Sequence, residues 1–407
     1  MPTPLPLRPL HRRWLAAEAE RLLGFHRASL GGPAGFRMLG LDGQPLHGPD
    51  EVFHLHDTAR FVHVLSMATQ LGIPGLRDGI DQGMRFLWQR HRDATRGGYL
   101  WGVRAEGPAP IAEKRAYGHA FVLLAGASAL RVGHPDARRL LDDVTEVLEA
   151  RFWEDGPGAA REAFTEDWEE IEPDYRGQNA NMHLAEALMA AFEATGERVY
   201  LDRALRIADL IVNRAARAHG WRVAEHFRAD WMVDLGHEGD PMFRPAGVTP
   251  GHGLEWARLL VQLFDLSGKA HGWMIEAARG LFATATAHGW DGRRGGFLYT
   301  LGWDDRPLNP LRLWWPNAEA IGAAATLWRF DGDAGALGWY ERVWDVVARQ
   351  FIDTARGGWF AENGDDGRPR EGIFHGKPDI YHAFQACIVA LLPAGTHLSG
   401  DLSAVAP

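Results

Sequence analysis

The sequence predicts an all-α fold, an (α/α)6 barrel of six helical hairpins joined by short β-hairpin loops. Three observations favour it. Helical periodicity dominates the hydrophobic pattern, and strand-like alternation is confined to short pieces. A glycine turn recurs roughly every 60 to 70 residues, as expected when a chain grows by similar units. The helix before each turn is apolar on all faces, whereas the helix after it carries the charges.

The repeated glycines define the hairpins. Each follows an apolar helical segment and precedes an amphipathic one, and glycine readily supplies the left-handed residue that closes a helix. The glycines are Gly72, Gly133, Gly196, Gly268, Gly332 and Gly395. Because the first helix of each hairpin has the composition of a buried helix, we expect six first helices inside and six second helices outside.

Twelve helices are predicted in chain order. They cover residues 10–30, 55–71, 76–92, 116–132, 136–152, 179–195, 199–216, 252–267, 270–288, 317–330, 335–352 and 380–393. Longer loops follow the second helices, and their glycine-aromatic stretches predict small hairpins. These stretches lie near 96–103, 220–227, 293–301 and 356–363.

Composition limits the class of protein. The repeat continues without a linker, so we expect one catalytic domain over residues 1–407. A net charge of −10 without a basic cluster argues against nucleic-acid binding, and no apolar run is long enough to span a membrane. The single cysteine, Cys387, and the lack of a secretory signal favour the cytoplasm. We expect a monomer or homodimer whose partner is a small-molecule substrate.

Polar residues recur 12 to 14 positions before the glycines. This spacing places them near the N-terminal ends of six inner helices, so we expect all of them to point toward one mouth of the barrel. They are Arg60, His119, His183, Glu255, Glu319 and His382. A ring of titratable side chains at one depth indicates an active site.

Neighbouring residues extend this set, because positions three or four apart share a helix face. Histidines beside carboxylates are natural acid/base units near neutral pH. The pairs are His252 with Glu255, Asn179 with His183, Asp379 with His382, and Trp315 with Glu319. His54 and His56 are two positions apart and should not face together, so we interpret His54 as structural, and likewise the loop residue His47.

A metal site is the alternative reading of three histidines and a glutamate. The HExxH spacing is absent and the residues come from separate helices, so nothing local specifies a metal. Phosphate-binding, dinucleotide-binding and GxSxG motifs are absent as well. We therefore predict neither a metal nor another cofactor.

Three motifs resemble those of the N-acylglucosamine 2-epimerase family. They are NANMH at 179–183, PGHGLEW at 250–256 and KPDIYH at 377–382, and the resemblance extends from about residue 50 to 393. The chain looks most like the aldose–ketose isomerase branch, which contains mannose and sulfoquinovose isomerases. The resemblance implies an (α/α)6 barrel that acts on unphosphorylated monosaccharides without a catalytic metal.

The resemblance also implies residue roles. His382 would move a proton from C2 to C1 of an open-chain aldose, and His252, held by Glu255, would open the pyranose ring. Arg60, Asn179 and His183 would bind hydroxyls and the developing enediolate. The remaining expected substrate contacts are Trp315, Glu319, His119 and Asp379.

Substrate and reaction leave alternatives. Sulfosugar enzymes need an additional cation, and the position before Phe243-Arg244 is Met242 here. That favours interconversion of D-mannose and D-fructose through a cis-enediol, with D-lyxose as a further substrate. Sugar 2-epimerisation is the nearest alternative, followed by sulfoquinovose isomerisation. An (α/α)6 glycoside hydrolase using Glu319 with Asp379 or Glu255 belongs to a different class and leaves the histidines without a role.

Overall fold

A computed structural model of the protein describes residues 3–30, 35–48 and 51–405. Twelve α-helices lie in this described part, which confirms the predicted all-α class. They are α1 (Pro9–His26), α2 (Leu55–Gln70), α3 (Arg77–Phe86), α4 (Ala116–Arg131), α5 (Ala137–Val147), α6 (Gln178–Thr195), α7 (Arg198–Ala208), α8 (Pro250–Leu266), α9 (Trp273–His288), α10 (Trp314–Asp331), α11 (Ala334–Gln350) and α12 (Tyr381–Val389). Wider π turns extend three outer helices, over Leu87–His91, Leu148–Phe152 and Asp209–Ala216.

The even-numbered helices form the inner ring of an (α/α)6 barrel. Each packs against the next, from α2 through α4, α6, α8 and α10 to α12, and α12 closes the ring against α2. The outer helices α3, α5, α7, α9 and α11 each pack on the inner helix that precedes them. The sixth hairpin joins the two halves of the chain, because α1 packs against α12.

Left-handed glycines close the hairpins as predicted. Gly196 and Gly332 cap α6 and α10 directly, with φ values of 76° and 79°. The other turn glycines, Gly72, Gly133, Gly268 and Gly395, also have positive φ. A residue with a Cβ would be strained at these positions, which explains why the turn repeats as glycine.

Short antiparallel strands gather before the inner helices. They are β1 (Phe53–His54), β2 (Gly102–Val103), β3 (Lys114–Arg115), β4 (Trp153–Glu154), β5 (Ala159–Ala160), β6 (Ala163–Phe164), β7 (Tyr175–Gly177), β8 (His226–Arg228), β9 (Leu298–Leu301), β10 (Pro307–Leu313), β11 (Glu362–Asn363) and β12 (Pro369–Arg370). The largest sheet has the order β12-β11-β10-β9, and the others are strand pairs. Since β1, β3, β7 and β10 run directly into inner helices, the strands surround the end of the barrel where those helices begin.

Backbone hydrogen bonds fix where four of the inner helices start. The first N–H of each helix donates to a carbonyl in the loop that follows the next outer helix. These bonds are Leu55 to Trp101, Ala116 to Glu162, Gln178 to Glu225, and Trp314 to Ala361. Corresponding side chains near the helix starts therefore lie at a common depth. In the described part of the chain, no helix has the length and apolar content needed to cross a bilayer.

Candidate active site

A cavity of about 440 Å³ opens at the end of the barrel where the inner helices begin. Eight of the residues predicted from the sequence line it. They are Arg60, Asn179, His183, His252, Glu255, Trp315, Asp379 and His382. Burial of these polar groups in a concave site rich in aromatic side chains is typical of a small-molecule pocket.

His382 faces the cavity from the start of α12 and is held from behind by α10. Its Nδ1 lies 2.8 Å from Oε1 of Glu319, and its backbone N–H donates to Oδ2 of Asp379 at 3.1 Å. Burial by itself would raise the pKa of Glu319, but the charge of Arg258 and the bond to His382 bring that pKa below its ordinary value. An ionised Glu319 that accepts from Nδ1 leaves Nε2 of His382 as the nitrogen able to take a proton.

His252 is held in the same way, but not by the predicted partner. Its Nδ1 lies 2.8 and 2.9 Å from the two oxygens of Glu225, which follows the outer helix α7 and precedes β8. The expectation that Glu255 holds His252 is wrong: the three-residue spacing is real, but Glu255 belongs to a different contact network. Burial raises the pKa of Glu225, but the charge of His252 and the hydrogen bonds from His252 and Gln178 outweigh it, so the net shift is downward.

Trp315 lies between the two histidines. Its ring centroid is 5.0 Å from that of His252 and 5.9 Å from that of His382. The three rings are mutually tilted by 34° and 37°, so they form one continuous wall. A sugar on this wall would meet an acid/base imidazole at each side of an apolar face.

Arg60 projects from α2 into the cavity. Its Nη2 donates to the hydroxyl of Tyr117 at 2.9 Å, and its Nη1 lies 4.0 Å from Oδ1 of Asp379. The guanidinium is 4.4 Å from the ring of Phe121 and 4.8 Å from that of Tyr381, so aromatic faces fix its plane. A guanidinium held this way can donate to substrate oxygen without reorganising.

Deeper in the barrel, His183 and Glu255 meet a second carboxylate. Nδ1 of His183 is 3.3 Å from Oε2 of Glu186 and 3.7 Å from Oε1 of Glu255. These three residues offer ligand atoms within 4.8 Å of one another, which is close enough for a cation. The guanidinium of Arg258 already supplies positive charge there, with Nη2 3.6 Å from Glu186 and 3.7 Å from Glu255.

His119 does not point into the cavity, which corrects the prediction. It is fully buried, its Nδ1 donates to the Arg115 carbonyl at 2.7 Å, and its Nε2 accepts from the Tyr99 N–H at 3.0 Å. Asn181 and Asn317 make the matching bonds from α6 and α10, each linking its helix start to the preceding hairpin. His119 is therefore a structural clamp, and burial lowers its pKa to about 4.

The error is one of helical register. Measured from the helix starts, Phe121 of α4 occupies the place that His183 has in α6 and Glu319 has in α10. His119 is two residues earlier, about 200° around the helix. Glu319 does have the expected depth, but it lies behind His382 rather than on the cavity wall.

Several cavity residues were missed or misread from the sequence. His47, His54 and His56 line the cavity although the first two were interpreted as structural. Asp57 lies beside them, with Oδ1 3.2 Å from Nε2 of His56. Burial raises the pKa of Asp57 to about 7 despite the opposing charge of Arg60. The HLHD sequence at 54–57 was the available signal, and it was set aside because a two-residue spacing was judged against a helix that begins only at Leu55.

Comparisons with known proteins agree with this geometry. Residues 34–386 match the family described as N-acylglucosamine 2-epimerase. The chain is 44% identical over 404 residues to a D-mannose isomerase of Thermobifida fusca, covering 98% of each chain. It is 40% identical to a D-mannose isomerase of Pseudomonas cannabina pv. alisalensis, covering 97% of this chain and 96% of that one. A solved D-mannose isomerase structure superposes with a TM-score of 0.87 at 31% identity, covering 93% of this chain and 97% of the other. The chain belongs to the N-acylglucosamine 2-epimerase family.

Proposed function

We propose that the protein is an aldose–ketose isomerase that interconverts D-mannose and D-fructose. The observation that carries the proposal is the pair of cavity histidines, each held through Nδ1 by a buried glutamate and separated by Trp315. Two positioned imidazoles suit a reaction that moves protons on both carbon and oxygen. The D-mannose isomerases to which the chain is similar along nearly its whole length support the same reaction.

Ring opening is assigned to His252. Because Glu225 accepts the Nδ1 proton, Nε2 is the nitrogen available to the sugar. It takes the proton of the anomeric hydroxyl while the ring oxygen is protonated, and the C1–O5 bond breaks to give the open aldose. The same imidazolium can then return a proton to an oxygen on which charge develops.

Proton transfer between carbons is assigned to His382. Its Nε2 removes the C2 proton, the electrons of that bond form the C1–C2 double bond, and O1 is protonated to give the cis-enediol. When O2 loses its proton, the C2 carbonyl forms and C1 receives the proton from His382. Arg60, Asn179 and His183 donate to the sugar oxygens, so that the negative charge of the enediolate is met by donors already in place.

Charge in the cavity favours a neutral sugar. Among the described residues that line it, Arg60 is the single Arg or Lys, whereas Asp57, Glu255, Glu371 and Asp379 are acidic. Arg244 lies outside this lining. Its guanidinium pairs with Glu172, approaches Glu162 at 3.7 Å and lies 4.2 Å from the Tyr175 ring centroid. A sulfonate or phosphate would therefore lack a second cation, and D-lyxose, which is D-mannose without C6, is a plausible further substrate on steric grounds.

Incubating the purified protein with a panel of aldoses, with and without EDTA, tests the proposal. We expect D-fructose from D-mannose at a rate that EDTA leaves unchanged. His382→Ala should abolish turnover without loss of folding, whereas the same change at the exposed His271 should leave turnover intact. Formation of no ketose from any aldose would refute the function, and near wild-type turnover by His382→Ala would refute the assignment of the base.

Sugar 2-epimerisation is the second candidate, because histidines on both sides of Trp315 could address opposite faces of C2. NMR in deuterated water separates the reactions. Deuterium at C2 of an aldose with inverted configuration indicates epimerisation, whereas deuterium at C1 of a ketose indicates isomerisation. The glycoside hydrolase alternative is disfavoured by Glu319, whose carboxylate is engaged by His382 and Arg258 rather than facing the cavity.

A further inference from the structure

A buried cluster of charges lies beneath the cavity and is centred on Arg258 of α8. Its Nε donates to Oε2 of Glu319 at 3.2 Å. Its Nη2 lies 3.6 Å from Oε1 of Glu186 and 3.7 Å from Oε1 of Glu255. All four side chains are at least nine-tenths buried, so one guanidinium is surrounded by three carboxyl groups where water cannot screen them.

The carboxylates around Arg258 are those that hold the cavity imidazoles. Glu319 binds Nδ1 of His382 at 2.8 Å, and Glu186 lies 3.3 Å from Nδ1 of His183. The Tyr381 hydroxyl also donates to Glu186, at 2.5 Å. Arg258 thus touches the supports of two different histidines while itself lying outside the cavity lining.

The three carboxyl groups have unequal acidities. Burial, followed by the charges of Glu319 and Glu186, raises the pKa of Glu255 well above its ordinary value. For Glu186 and Glu319, burial is outweighed by Arg258 and by hydrogen bonds, and both pKa values fall below the ordinary range. With Glu255 neutral, two carboxylates and one guanidinium leave the cluster one negative charge short of balance. A proton on His382 supplies that missing positive charge.

We propose that Arg258 is a positioning residue that sets the proton affinity of His382 through Glu319, and that Glu186 tunes it with the opposite sign. The kinetic consequence rests on the proposed function, whereas the consequence for His382 itself does not. Removing the positive charge lets the Glu319–His382 pair bind its proton more tightly. Removing the negative charge of Glu186 leaves Arg258 less neutralised and weakens proton binding by the pair.

Other charged or titratable groups face the same space and stay constant between the variants. They come from α2, α6, α8 and α12 and comprise Arg60, His63, His183, Glu255, Asp379 and Tyr381. Because none of them is altered, differences between the variants report the charges at positions 258 and 186.

The experiment compares Arg258→Gln, Arg258→Lys and Glu186→Gln with the wild type. The acidic limb of the kcat/KM profile for D-mannose should move up by about one pH unit in Arg258→Gln. It should move down in Glu186→Gln and return toward the wild-type position in Arg258→Lys, which keeps the charge. Arg293→Gln removes an exposed arginine and should not move the limb.

A second readout does not require turnover. Histidine-labelled protein, with the His382 signal assigned by its loss in His382→Ala, gives the titration of this imidazole directly by NMR. The proposal is supported if His382 titrates higher in Arg258→Gln and lower in Glu186→Gln, even if no aldose is turned over. A fall in kcat with no movement of either the limb or the titration would overturn it. If Arg258→Gln does not fold, Glu186→Gln alone decides: a downward shift supports the proposal and an unchanged titration refutes it.

Discussion

Glu225→Gln should slow ring opening more than it slows proton transfer between carbons. The carboxylate accepts from Nδ1 of His252 and so fixes the tautomer and orientation of the ring. The substitution preserves the shape of the side chain but removes its charge. His252 would then lose the anion that stabilises its protonated form, whereas His382, held by Glu319, would keep its own support.

The magnitude follows from the hydrogen bonds that Glu225 accepts. Two donors reach its separate oxygens, His252 Nδ1 and Gln178 Nε2, the latter at 3.0 Å. Glutamine has one oxygen, so one buried donor loses its acceptor at a cost of about 1–3 kcal/mol. Loss of the charge-assisted bond adds a comparable amount when His252 becomes positive, and a total near 3 kcal/mol corresponds to about a 100-fold lower kcat.

Isotopic substitution separates the two steps. The assay compares kcat for D-mannose and for D-mannose deuterated at C2. If ring opening becomes limiting, the primary isotope effect in Glu225→Gln should fall toward one. Glu319→Gln is the matched control, because it weakens the support of His382, slows cleavage of the C2–H bond and should preserve or increase the isotope effect.

The reasoning fails if Glu225→Gln retains kcat within about threefold of the wild type, since that would mean the buried carboxylate does little for the reaction. An isotope effect that rises in Glu225→Gln would place His252 in the carbon proton transfer instead. A loss in Glu255→Gln with the isotopic signature expected for Glu225→Gln would restore the partner that the helical spacing suggested.

Three further outcomes are expected. His119→Ala should lower the free energy of unfolding by about 3 kcal/mol, measured by chemical denaturation, because it leaves a cavity and two unpaired backbone groups. His119→Asn, which installs the side chain found at the matching positions of α6 and α10, should recover part of that loss with kcat unchanged. The free energy of unfolding should fall as the pH is lowered from about 6.5 toward 4, because burial lowers the pKa of His26, His63, His91 and His119 to about 4 and the unfolded chain then binds more protons. A flat denaturation profile over that interval would contradict this. Met242→Arg adds a second cation to the cavity wall, so kcat/KM for a 6-sulfonated sugar should rise relative to that for D-mannose.

Most of the fold was accessible from the sequence because it follows from local chemistry. Glycine closes the helices, apolar helices lie inside and charged helices outside, and each of these rules acts within a few residues. The predicted helix starts were less accurate: α8 begins at Pro250 and α10 at Trp314, earlier than expected. Those early turns lie where β-hairpin hydrogen bonds fix the backbone, which helical periodicity does not report.

The glycine spacing located the depth of the site but not the direction of every side chain. An offset that varies by two residues still marks the same end of a helix, yet two residues rotate a side chain by about 200°. That rotation separates His119, which clamps a hairpin, from Phe121, which packs against Arg60 beside the cavity. The hydrogen bonds at the helix starts are the better reference, because they are made by the backbone itself.

The partners of the two cavity histidines were inaccessible for a different reason. Helical spacing relates residues on one element, and His252 and Glu255 do share a face of α8. Glu255 nevertheless turns toward Arg258 and His183, while the oxygens bound to His252 come from Glu225, beyond the end of an outer helix. His382 likewise depends on Glu319 of the neighbouring helix. Each acid/base unit is thus assembled across elements, so its chemistry depends on how tightly the ring closes, and variants that loosen contacts between helices should impair catalysis before they unfold the barrel.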